Sequence, residues 1–204
     1  RPNDKIDYNM LDNKKAGISL AGTLTLPSKE GVFPVVILIS GSGPQNRDQE
    51  LLGHKPFLVL SDFLTRNGIA VLRYDDRGTA LSKGDFKTAT SADFATDVES
   101  AIAYLKTRKE INTKNIGLIG HSEGGLIAPM VASKSKDVAF IVLLAGTGIQ
   151  GDRLLLLQQK LIGKASGISE DDLQKSELTN RQVFDIVNKS SNLEKLNLDL
   201  TNYI

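Results

Sequence analysis

Apolar residues fall along this chain in two rhythms. Up to residue 148, short apolar runs alternate with amphipathic stretches, and beyond it the spacing is helical throughout. Residues 5 to 10 and 18 to 26 read as extended. In the second, Ile18, Leu20, Gly22, Leu24 and Leu26 alternate with polar or small neighbours, and Asp12-Asn13 offers turn chemistry between the two stretches. This predicts an antiparallel hairpin at a sheet edge. After a loop from Pro27 to Pro34, Val35-Val36-Ile37-Leu38-Ile39 is apolar at every position, as in a strand covered by helices on both faces. Ile69 to Leu72 repeats that run, after a helix from about Pro56 to Asn67 that Gly68 stops.

A second helix spans residues 91 to 109. Ser91 is its N-cap, Asp93 and Asp97 suit the positive end of the helix dipole, and Phe94, Val98, Ala101, Ile102 and Leu105 form one stripe. It leads to a strand carrying Ile116, Leu118 and Ile119, then a small-residue helix, then the apolar strand Val138 to Leu144. Strands alternating with helices define an α/β fold: a doubly wound, mostly parallel sheet with an antiparallel N-terminal hairpin, whose ligands sit at the carboxyl ends of the strands. Residues 1 to 148 form this core. Residues 149 to 204 carry Leu154 to Leu157, Leu161, Ile162, Leu173, Leu178, Val183, Phe184, Ile186 and Val187 at helical spacing. They read as a helical cap over the strand ends or as ordinary peripheral helices, which sequence separates poorly.

Composition narrows the chemistry. The 204 residues hold 25 basic and 24 acidic side chains with no long basic run, so nucleic acid is not an expected partner. There is no cysteine, which removes disulfides, thiolate metal sites and a cysteine nucleophile, and no central metal is expected. No apolar run approaches the roughly 18 residues of a membrane span. The expectation is a soluble protein, cytoplasmic or exported. Arg1 stands where a methionine would open an unprocessed chain, consistent with a trimmed product.

One stretch carries the sharpest signal. Gly120-His121-Ser122-Glu123-Gly124 joins the strand through Ile119 to the helix that follows, a G-x-S-x-G nucleophile elbow in which Ser122 stands at the tip of a tight turn. Gly120 and Gly124 let strand and helix pass closely. The alternative is a glycine-rich turn that happens to contain serine. Acyl transfer also needs donors for the developing oxyanion. The strand 35–39 runs into Ser40-Gly41-Ser42-Gly43-Pro44, and the amides of Ser42 and Glu123 are the donors its position suggests. A dinucleotide fingerprint fails there, because Pro44 follows and no third glycine or helix does; a Walker A loop is absent too. The reaction read here needs no cofactor.

The base is the difficulty. Both histidines, His54 and His121, precede Ser122. His121 leaves the turn on the face opposite the serine and packs beneath the elbow, and His54 reads as a rim residue. Asp152, Asp171, Asp172, Asp185 and Asp199 follow the serine but lie in the helical segment, not after a buried strand. Tyr74-Asp75-Asp76-Arg77-Gly78 follows another buried strand at the functional end. There Asp76 and Arg77 read as loop support, with Arg77 pairing with Asp48, Asp75 or Asp76.

Taken in order, Ser40-Gly41-Ser42-Gly43-Pro44-Gln45-Asn46-Arg47-Asp48, Tyr74 to Gly78 and Gly120 to Gly125 resemble bacterial esterases of the α/β-hydrolase superfamily. The likeness is to the serine aminopeptidase-like (monoacylglycerol lipase-like) hydrolases, over roughly residues 16 to 162. The resemblance implies an α/β-hydrolase fold, a small-molecule acyl ester substrate, Ser122 as nucleophile, Ser42 and Glu123 as oxyanion donors, and a helical cap after the sixth strand. It also implies two final strands bearing a triad aspartate and histidine. These are absent from the sequence, so a fragment inactive by itself and self-association through an uncovered sheet edge are expected. The other reading is a non-catalytic binding module with a degenerate hydrolase site.

Overall fold

The computed structural model describes residues 7–203. Residues 5 and 6, part of the expected first strand, lie outside them. A six-stranded sheet runs in the order β1-β2-β4-β3-β5-β6, with β1 Asp7–Asn13, β2 Ile18–Thr25, β3 Phe33–Ile39, β4 Ala70–Tyr74, β5 Ile111–His121 and β6 Val138–Leu144. β1 and β2 pair antiparallel and form the edge hairpin, β2 joins β4 antiparallel, and the remaining pairs are parallel. The fold is that of an α/β-hydrolase.

The hairpin turn lies later than Asp12-Asn13, both of which belong to β1. The chain reverses over residues 14–17, where Gly17 takes φ 66°. Asn13 still shapes the turn, because its side-chain oxygen accepts the Ala16 amide at 3.1 Å.

Unbroken apolarity in β3 has a direct cause. Val35, Ile37 and Ile39 join a core with Val98, Ala101 and Leu105 of α2 (Ser91–Lys106) and Ile127, Ala128 and Val131 of α3 (Gly124–Ala132). Val36 and Leu38 face the other way, onto Phe57 of α1 (Pro56–Arg66). Both faces are buried, so neither can be polar. α2 is capped by Thr90 rather than Ser91: the Thr90 hydroxyl accepts the Asp93 amide, and the Asp93 carboxylate accepts the Thr90 amide at 2.9 Å. Ser91 is thereby freed for another contact.

β6 is as apolar as β3 but lies at the sheet edge, bonded among the described residues only to β5. Phe140, Ile141, Val142, Leu143 and Leu144 are 37–46% exposed.

The chain divides into two compact units between Gly146 and Thr147. The second consists of α4 Gly151–Ala165, α5 Glu170–Lys189 and α6 Leu193–Tyr203. Within it Gln159 of α4 bonds both Ser176 and Asn180 of α5. Leu173 packs so closely on Gly163 that a Cβ there would lie 2.5 Å from its Cδ2.

Candidate active site

The elbow is held by backbone contacts that leave no room for side chains. Ser122 takes φ 53°, in the left-handed region that a non-glycine residue enters only when its surroundings force it. Its amide donates to the Leu144 carbonyl at the end of β6, and its carbonyl accepts the Gly125 amide, both at 2.9 Å. A Cβ on Gly120 would collide with the Gly124 carbonyl. One on Gly124 would lie 2.7 Å from the Ser40 carbonyl oxygen and strike that of Ile39. Glycine at both positions is a requirement of space: α3 starts directly against β5 and the end of β3.

The turn after β3 lies on the serine. A Cβ added to Gly41 would come within 3.1 Å of both Ser122 Cβ and His121 Nδ1. Among the described residues, no hydrogen bond engages the amide of Ser42 or of Glu123, so both remain available as donors. The Glu123 side chain accepts from the Ser91 hydroxyl at 2.7 Å, joining the elbow to the first turn of α2.

Two consecutive carboxylates tie down the chain beyond this turn. Asp76 accepts the Ser40 hydroxyl at 2.6 Å and the Gln45 amide at 2.9 Å, while its own amide donates to the Gln45 carbonyl at 3.1 Å. Asp75 accepts the Arg47 amide at 2.8 Å and holds its guanidinium at 3.0 and 2.7 Å. Their environments push the two acids apart. Burial would raise Asp75, but the hydrogen bonds from Arg47 outweigh it and hold its carboxyl below the usual range. Asp76 has no such cation, and burial, assisted by the charges of Asp97 and Asp75, pushes it up to about 7 against the hydrogen bonds from Ser40 and Gln45.

Arg77 departs from expectation. It pairs with none of Asp48, Asp75 and Asp76; its guanidinium grips Asp97 of α2 at 2.8 and 2.9 Å and the Asp93 carbonyl at 2.7 Å. The other acids are already engaged, Asp75 by Arg47 and Asp48 by Arg73. Arg77 thus fastens the loop after β4 to α2 rather than to the turn after β3. His121 does not simply pack beneath the elbow. Its Nδ1 lies 2.6 Å from the side-chain Nε2 of Gln49, so it faces the turn after β3 and anchors the loop that follows. Gln49 itself takes φ 51°. His54 is exposed and forms a small bridge with Leu51. Sequence reasoning missed Gln49 and Asp97. For Asp97 the signal was its place beside the apolar stripe of α2; for Gln49 there was none.

Strand order and elbow define the class: an α/β-hydrolase with a serine at the tip of its elbow. Within it, the chain belongs to the X-Pro dipeptidyl-peptidase (S15) family, whose sequence model matches residues 16–192. It is 31% identical over 173 residues to esterase EstD of Thermotoga maritima, covering 82% of this chain and 41% of that protein. With mitochondrial acyl-coenzyme A thioesterase 2 of Mus musculus it shares 30% identity over 127 residues, 61% of this chain and 24% of that one. The chain therefore spans less than half the length of these curated relatives. Among solved structures, a Pyrococcus furiosus esterase superposes with TM-score 0.63 at 21% identity, over 87% of this chain and 62% of that one, a likeness of fold. Est1E of Butyrivibrio proteoclasticus, solved with ferulic acid, superposes with TM-score 0.54 at 26% identity, over 64% and 49%.

Proposed function

We propose that this chain carries the nucleophilic half of a serine hydrolase acting on carboxylic esters. Ser122 attacks the acyl carbonyl, the amides of Ser42 and Glu123 receive the oxyanion, and residues 149–204 contribute to a cap. The observation that carries the reading is the strained Ser122 with the Gly41 turn laid against it. The likeness to esterase EstD supports an ester substrate; thioesters and X-Pro peptides are the alternatives its other relatives suggest. Attack requires a base for the hydroxyl proton, and no histidine follows Ser122 in these 204 residues. On this reading they bind and react slowly but do not turn over by themselves. The exposed apolar edge of β6 favours a further proposal, that the isolated chain self-associates there.

The test is mass spectrometry after incubation with a fluorophosphonate, alongside p-nitrophenyl esters, a thioester and an X-Pro anilide. Slow labelling confined to Ser122 and lost in Ser122→Ala is expected, with ester favoured among the substrates. Rapid stoichiometric labelling shows that a base is present after all. Labelling that survives Ser122→Ala removes the serine from the mechanism. Complete inertness of Ser122 favours the second reading, a non-catalytic binding module.

A further inference from the structure

We propose that Asp76 is the positioning residue of the oxyanion turn, and that a proton shared between its carboxyl and the Ser40 hydroxyl sets the state in which the turn presents its amides. The proposal rests on the reading of Ser122 and Ser42 given above. The turn leaves β3 at Ser40 and is caught again at Gln45, and Asp76 reaches both ends: one carboxylate oxygen to the Ser40 hydroxyl, the other to the Gln45 amide, with its own amide on the Gln45 carbonyl. Asp76 is 6% exposed.

The charges around it explain why a proton can stay. Asp75 and Arg77 flank it in sequence, Asp97 faces it from α2, and Glu123 and Tyr74 line the same small cleft. Arg47 neutralises Asp75 and Arg77 neutralises Asp97, and among the described residues no cation pairs with Asp76 itself. Burial accordingly brings its carboxyl to about 7, so both forms are populated near neutral pH. The cleft has about 10 Å³ of space for the centre of a water, enough for about one molecule beside the carboxyl.

The two forms differ in what they do to the turn. Neutral Asp76 donates its O–H to Ser40 Oγ and still accepts the Gln45 amide, so no contact is lost. Ionised Asp76 accepts from both, but it places a negative charge behind the amides that must receive a second one. The neutral form is the working form. The sign for stability follows: the folded value lies above the ordinary value of about 3.9, so the native state holds a proton that the unfolded chain has released. Stability contributed by this group is full below about pH 4 and is lost as pH rises to about 7.

The experiment uses the 204-residue chain as wild type, Asp76→Asn and Ser40→Ala. Carboxyl carbon and amide NMR follow the titration, and fluorophosphonate labelling of Ser122 is measured from pH 5.5 to 8.5. The Asp76 carboxyl should titrate near 7, with the Gln45 amide shift following it. Ser40→Ala should move the midpoint up, because it removes a hydrogen bond that holds it down. The labelling ratio of Asp76→Asn to wild type should be near one at pH 5.5 and on the order of tenfold at pH 8.5; contributions common to both proteins cancel. A carboxyl midpoint near 4, a Gln45 amide that ignores the titration, or a flat labelling ratio overturns the proposal. If Asp76→Asn does not fold, the wild-type titration decides. If Ser122 is unreactive in every variant while the Gln45 amide follows Asp76, the reading of the serine fails and the positioning role stands.

Discussion

Arg77 and Asp97 lie twenty residues apart, and each neutralises a charge that could not otherwise be buried. The Asp97 side chain is 1% exposed and that of Arg77 8%. Removing one partner leaves the other uncompensated, so Arg77→Ala should lower stability by about 3–5 kcal/mol, read from urea unfolding. A loss under about 1 kcal/mol would mean that the pair is hydrated. Sequence offered Arg77 the acids Asp48, Asp75 and Asp76 and missed the one it takes. Periodicity identifies the face of α2 that packs, yet it does not say which strand end lies opposite, and Asp97 sits one step from that stripe. The elbow residues were legible because their constraint is local. Gly120, Ser122 and Gly124 are fixed by atoms within a few residues of one another, or by the strand end that the turn touches.

At the scale of elements, α2 begins where its cap allows. Thr90 and Asp93 close a reciprocal pair of hydrogen bonds, so Thr90→Ala should cost about 0.5–2 kcal/mol in thermal or urea unfolding, and Ser91→Ala, which leaves the box intact, should cost less. Equal losses would move the start of the helix back to Ser91. Strands and helices of the sheet were readable because each has a period set by what covers it. The loop from Gln45 to Glu50 was not. Its polar residues have no period, and its shape comes from partners on three other elements: Asp75 and Arg73 at β4, Thr23 of β2 and His121 of β5.

For the molecule as a whole, the contrast between β3 and β6 matters most. The two strands share an all-apolar sequence, and only one is buried, because composition records what a strand can tolerate and not its place in the sheet order. An uncovered apolar edge invites pairing. The 22.1 kDa chain should sediment as concentration-dependent oligomers, and Val142→Lys on β6 should shift it toward monomer. A wild type that stays monomeric at every concentration refutes edge-to-edge association. No helix among the described residues is long and apolar enough to cross a membrane.

The contacts that hold Ser122 in its left-handed turn come from Gly41, Gly120, Gly124, Gly125 and Leu144, all of which precede residue 147. During synthesis, the parts of the elbow are therefore all present before the helical unit exists. At about 5–20 residues per second, the 58 residues from 147 to 204 take roughly three to twelve seconds to add. For that interval a nascent chain already carries every residue needed to shape the turn at Ser122, and none of the helical unit.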